Sequence, residues 1–174
     1  IEYPAIVSDH RCRLSIHGQA VPEAYLPATT IAAAYDDFCE ADTDTQVAPS
    51  ATLSFNYLHH NVNTIREEAK CELIAAQLRR SETAIASFPE SRLKYTEKVL
   101  KHGFVVCSSA CCSLGRGGCT LWISTWVPFS TINGKDLYVQ LESASILHAD
   151  PRRLIVAIKA PGISCTCLVL HGPD

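Results

Sequence analysis

Between Thr52 and His59 the apolar residues Leu53, Phe55 and Tyr57 fall on every second position, the period of a half-buried strand. The period then changes. Ile65, Ala69, Leu73 and Ala76 recur at helical spacing over residues 65–80, with Ile74 and Leu78 widening the stripe. Thr83–Phe88 reads as a second strand stopped by Pro89, and Gly103–Cys107 and Cys119–Ser124 as two more, separated by a turn at Gly115-Arg-Gly-Gly. Tyr138–Glu142, Leu154–Lys159 and Cys165–Leu170 add three strands, the last two joined by a turn at Pro161-Gly162. The basic stretch holding Arg92, Lys94, Lys98 and Lys101 reads as a loop and a short helix through Val99 and Leu100.

The first fifty residues differ. Residues 1–27 show no sustained period and are interrupted by Pro4, Pro22 and Pro27; a short helix capped by Thr29 or Thr30 is expected through Ile31–Cys39. Residues 41–50 read as a linker, and the Asp42-x-Asp44 pair within it as solvated rather than cation-binding. The expected organisation is therefore an irregular acidic extension over 1–50 and a folded unit over 51–174, of α+β class with helices layered on sheets.

Composition sharpens this outline. The 174 residues are 47% hydrophobic and 19% charged, enough for a core and consistent with one soluble domain. No apolar run reaches the roughly 18–20 residues of a membrane-spanning helix. The formal charge of −3 is uneven, because residues 1–50 hold eight acids against Arg11 and Arg13 while the remainder is mildly basic. That body tolerates a polyanionic partner but falls short of a dedicated nucleic-acid binder's strongly basic footprint. Nine cysteines with irregular spacing, among them Cys107, Cys111, Cys112 and Cys119 without a C-x2-C knuckle, argue against zinc and for free thiols in a reducing, intracellular compartment. The chain opens on Ile1 and contains no Met, so it is expected to be a processed protein or a piece of a longer one.

Candidate chemistry collects at strand ends, where layered sheets place their sites. His59-His60-Asn61-Val-Asn63, Phe88-Pro-Glu90-Ser-Arg92 and His171 supply a carboxylate, amides and imidazoles. Phosphodiester hydrolysis uses that inventory: a carboxylate for a divalent cation, a donor to orient the phosphate and a base for water.

The order of these pieces carries a resemblance. A strand leading to Asn-Val-Asn, a helix, a strand leading to Glu-Ser-Arg, further strands, and a strand ending in His-Gly-Pro is similar to the endonuclease/exonuclease/phosphatase superfamily. Leu147-His-Ala-Asp-Pro-Arg-Arg-Leu-Ile-Val, Ala160-Pro-Gly-Ile-Ser-Cys and Cys119-Thr-Leu-Trp-Ile-Ser resemble most the endonuclease domains of non-LTR retrotransposons, in their dinoflagellate-type copies. The resemblance runs from about Leu53 to Asp174 and implies a partial two-sheet sandwich, the N-terminal half of that fold. It implies that Asn61 orients the scissile phosphate, that Glu90 holds Mg²⁺, that His171 contacts the phosphate, and that Arg92, Lys94 and Lys98 face the nucleic-acid backbone. Pro89 stands where the family has Gln, removing a backbone donor. The family's Asp-x-Asn and Asp-His motifs fall beyond Asp174, so the implied function is a Mg²⁺-dependent DNA endonuclease fragment, nuclear and inactive alone. The alternative is a non-catalytic accessory subunit of a larger assembly, an organelle complex included, with other protein chains covering the open sheet.

Overall fold

Strands β3 (Asn56–His59) and β4 (Thr83–Pro89) run parallel, a pairing that no tight hairpin can make; helix α1 (Glu68–Arg80) supplies the crossover. The computed structural model describes residues 16–19, 50–53, 56–132, 135–160 and 163–172. Beyond the crossover the chain turns antiparallel through β5 (Glu97–Lys101), β6 (Phe104–Ser108) and β7 (Cys119–Ser124), giving a mixed five-stranded sheet of order β3-β4-β7-β6-β5. The short ribbon β8 (Ser130–Ile132) and β9 (Lys135–Leu137) leads to an antiparallel three-stranded sheet, β10 (Ala144–Asp150), β11 (Arg153–Ala160) and β12 (Ile163–Leu170), in that order.

Two apolar interiors explain why β4, β6 and β7 are buried along their whole length. One face of the five-stranded sheet (Ile85, Val105, Leu121, Ile123) packs on Leu154, Val156, Ile158 and Val169 of the three-stranded sheet. The other face (Ala86, Phe88, Phe104, Val106, Trp122) lies under Cys71, Ile74, Ala75 and Leu78 of α1. Trp122 anchors that second interior, with the Phe88 ring edge-on at 5.7 Å and Phe104 at 5.5 Å between centroids. The arrangement is α+β: a helix and two sheets in three layers. Among the described residues no helix is long and apolar enough to cross a membrane.

Several elements depart from the pattern-based expectation. Helix α1 buries Cys71, Ile74, Ala75 and Leu78, a face rotated from the Ala69–Leu73–Ala76 stripe, and Leu73 is exposed. Glu97–Lys101 is a strand rather than a helix, because His102 and Gly103, both at positive φ (50° and 76°), form the two-residue connection that closes Lys101 onto Phe104. Tyr138–Glu142 is not a strand. There the Ser143 hydroxyl accepts the Gln140 N–H at 3.2 Å while the Ser143 N–H donates to the Gln140 carbonyl, winding Leu141–Ser143 into a 3-10 turn. The strand expected over Thr52–His59 is two strands, β2 (Ser50–Leu53) and β3. Strand β1 (Ile16–Gln19) lies in the stretch read as irregular and pairs antiparallel with β2 across the expected boundary at residue 50. The expected helix over residues 31–39, residues 41–49 of the expected 41–50 linker and the Pro161-Gly162 turn lie outside the described residues; Ser50, the linker's last residue, opens β2, and Ala160 and Ile163 pair on either side of that turn.

The three-stranded sheet is covered on one side by the five-stranded sheet. On its other side Leu168 and Leu170 are about half exposed and Leu147, extruded at a bulge between Ile146 and His148, is 61% exposed. Strand β12 is an edge strand, and its eight residues carry no charge.

Candidate phosphate-binding site

Five chain segments meet at one end of the two sheets, and backbone hydrogen bonds lock them together. The loop after β3 is tied to the loop after β4 by Thr64 N–H to Glu90 O (2.9 Å) and Ile65 N–H to Ser91 O (3.0 Å). That second loop is tied to the segment before β7 by Ser91 N–H to Gly118 O and Arg92 N–H to Gly117 O. Gly118 N–H donates in turn to Pro151 O in the β10–β11 turn, and His171 N–H, just past β12, donates to Arg152 O at 2.8 Å. Gly117 must be glycine here: a Cβ would stand 2.5 Å from the Pro151 carbonyl oxygen, and its φ is +72°.

On this floor Asn61, Glu90, Arg92 and His171 converge. Asn61 is oriented by an Asx turn, its Oδ1 accepting the Asn63 N–H at 2.9 Å, which leaves its amide to donate to Glu90 Oε2 at 3.1 Å. The other carboxylate oxygen, Oε1, is ion-paired with the Arg92 guanidinium. Arg66 donates to the Arg92 carbonyl and so braces that residue from the segment just before α1. His171 places Nε2 4.0 Å from Glu90 Oε2, with its side chain 12% exposed. The hydrogen bond from Arg92, then that from Asn61, hold the Glu90 carboxyl below its ordinary range, so it is an anion at neutral pH.

The backbone here is strained. Asn63, Thr64, Glu90 and Arg92 all have positive φ without being glycine (46°, 96°, 60° and 56°), a concentration typical of sites where side-chain placement outweighs local comfort. Ser91 Oγ and His171 Nδ1 are buried with no hydrogen-bond partner among the described residues, so the floor retains unused polar capacity.

The other expected site residues lie differently. Lys94 is exposed, and Lys98 on edge strand β5 donates to Ala144 O at 2.8 Å, clasping the two sheets together. His59 is a structural residue whose Nδ1 meets Ser87 Oγ at 2.7 Å. The clustered cysteines do not gather: Cys107 and Cys119 are buried while Cys111 and Cys112 are half-buried, and each is a free thiol. Burial pushes the Cys107 and Cys119 thiols up to about 11. Among the described residues no three His, Cys, Asp or Glu side chains are grouped to hold a metal ion, so a cation here would rest on Glu90 as its one carboxylate.

Gly117 and Gly118, expected as part of a turn, and Arg152, given no role by the sequence, complete the site's floor. The sequence signals for them are the Gly115-Arg-Gly-Gly turn and Asp150-Pro-Arg-Arg, an Asp-Pro turn placed between two apolar runs. Compared with known proteins, the chain matches no family model and no curated protein.

Proposed function

We propose that this chain is the phosphate-gripping half of a metal-dependent DNA phosphodiesterase of the endonuclease/exonuclease/phosphatase kind. The observation that supports the reading is the convergence of Asn61, Glu90 and His171 from three separate strand ends onto a single carboxylate oxygen. Three residues drawn from positions 61, 90 and 171 have no packing reason to share one polar point, and the strained backbone that brings them there has a cost of its own.

The donor set fits the sparsest mode of Mg²⁺ binding, one carboxylate with the remaining positions left to water and substrate phosphate. Glu90 would hold the ion, which when bound neutralises charge on the phosphate. Asn61 can turn its amide N–H groups to a non-bridging oxygen, and Arg92 supplies a second positive charge on the same side. His171 brings an imidazole to the same point, its Nε2 4.0 Å from Glu90 Oε2, where a ring N–H can donate to a phosphate oxygen. Binding and polarising a phosphodiester is therefore within reach of these side chains, whereas complete hydrolysis also needs an acid for the leaving group.

A second reading is favoured by the open face of the three-stranded sheet, where Leu147, Leu168 and Leu170 are exposed. On that reading the chain is a non-catalytic subunit whose sheet is covered by other protein chains.

The deciding experiment is thermal unfolding of the wild type and Glu90→Gln, each in EDTA and in excess MgCl₂. The nuclease reading expects Mg²⁺ to raise the wild-type midpoint, and expects Glu90→Gln to lose that rise while remaining folded in EDTA. A wild type indifferent to Mg²⁺ sinks the reading and leaves the subunit reading standing.

A further inference from the structure

Beside the Glu90 cluster lies an open depression of about 670 Å³, walled by Pro151, Arg152, Arg153, Leu170, His171 and Cys112. Its size is that of a site for a small ligand or a stretch of a longer one. His171 belongs to both places, lining the depression while its Nε2 faces Glu90.

The two guanidiniums in the wall are differently occupied. Arg153 is ion-paired to Asp150 Oδ2 at 2.8 Å. The Arg152 side chain is exposed and has no hydrogen-bond or ion-pair partner among the described residues, yet its backbone is held at both ends. Asp150 Oδ1 accepts the N–H groups of Arg152 and Arg153 at 2.8 Å each, and the Arg152 carbonyl accepts from His171 N–H at 2.8 Å. Pro151 fixes φ in the same turn, and its carbonyl takes the Gly118 N–H. A free guanidinium on a rigid mount, one hydrogen bond from the candidate phosphate ligand His171, is preorganised to receive an anion.

We infer that Arg152 is a positioning residue for nucleic acid, holding a backbone phosphate next to the one placed at Asn61, Glu90 and His171. This rests on the phosphodiesterase reading and deepens it. The strand runs from Glu90 past His171 and across the depression, its sugars against the apolar Pro151 and Leu170 and its next phosphate on Arg152. The lining offers both kinds of surface a polynucleotide presents partners for, a cation in Arg152 for phosphate and apolar Pro151 and Leu170 for sugar.

The test is fluorescence anisotropy of a short fluorescein-labelled DNA duplex titrated with the full chain in EDTA over a series of KCl concentrations. A single lost phosphate contact lowers the slope of log K against log[KCl] by about one. Arg152→Ala is expected to show that loss and Arg152→Lys to restore the wild-type slope. Arg80→Ala, a neutralisation at the exposed end of α1, is expected to leave it unchanged. An Arg152→Ala slope equal to wild type overturns the assignment while the phosphodiesterase reading survives. An equal loss in Arg80→Ala also overturns it, because the binding would then be diffuse. Wild-type protein that binds no duplex at all overturns both.

Discussion

At the scale of single residues, this protein places its polar side chains by accepting backbone conformations that side chains resist. Glu90 and Arg92 sit in the left-handed region on either side of Ser91, and that arrangement lets both point to one spot while Ser91 stays buried between them. Glycines do the opposite work close by. Gly117 yields its Cβ so that the Pro151 carbonyl can approach, and the contact joins the segment before β7 to the β10–β11 turn. Gly117→Ala therefore combines a left-handed backbone with a backbone clash, and should cost about 2 kcal/mol or more in a urea unfolding series. A loss below about 0.5 kcal/mol would mean the two segments are not held together there. Asn61, Glu90 and His171 could be singled out from the chain because each lies at the end of a strand-like stretch and is polar where a core has no need of it. Arg152 could not, since an arginine beside another arginine in a turn has nothing local to mark it; only its mounting in space does.

At the scale of elements, long apolar runs translate directly into structure and short mixed ones do not. Strands β4, β6, β7, β11 and β12 are legible because sheets buried on one or both faces demand continuous or alternating apolar residues. Strand β5 reads Glu-Lys-Val-Leu-Lys, which suits a helix equally well, and its state is decided by the His102–Gly103 turn that follows. Helix α1 has apolar residues on more than one face, so the sheet it packs against selects which stripe is buried. The β10–β11 hairpin is held by charge as well as by pairing. Asp150 accepts from His148 and from the Arg152 and Arg153 N–H groups, and these bonds, that from His148 foremost, depress its pKa from an ordinary 3.8. A depressed carboxyl contributes stability that is complete above its unfolded value and is withdrawn as pH falls through the folded one. Glu90 acts in the same direction. The unfolding midpoint should therefore be level with respect to these groups from about pH 5 upward and should drop below about pH 4. Asp150→Asn should lower the plateau and make the acid limb shallower. An acid limb of unchanged steepness in Asp150→Asn would show that the hairpin's charge contacts contribute nothing.

At the scale of the whole molecule, the two sheets are unequal. The five-stranded sheet is insulated by α1 on one side and by its partner sheet on the other, while among the described residues the three-stranded sheet is covered on one face. The uncharged rim of that smaller sheet has a consequence for handling the protein. Strand β12 directs the backbone donors and acceptors of every second residue away from β11, with no lysine, proline or acid along it, and a second molecule in a concentrated solution can extend the ladder. Stacking of that sort propagates, so the yield of clear, monodisperse sample should fall with protein concentration rather than with time alone. Thr166 points outward at the middle of the strand, and Thr166→Lys should raise the concentration at which turbidity first develops without altering the unfolding midpoint by more than a degree or so. If the lysine leaves that threshold where it was, the rim is not the surface on which molecules accumulate, and the exposed leucines beside it become the place to modify.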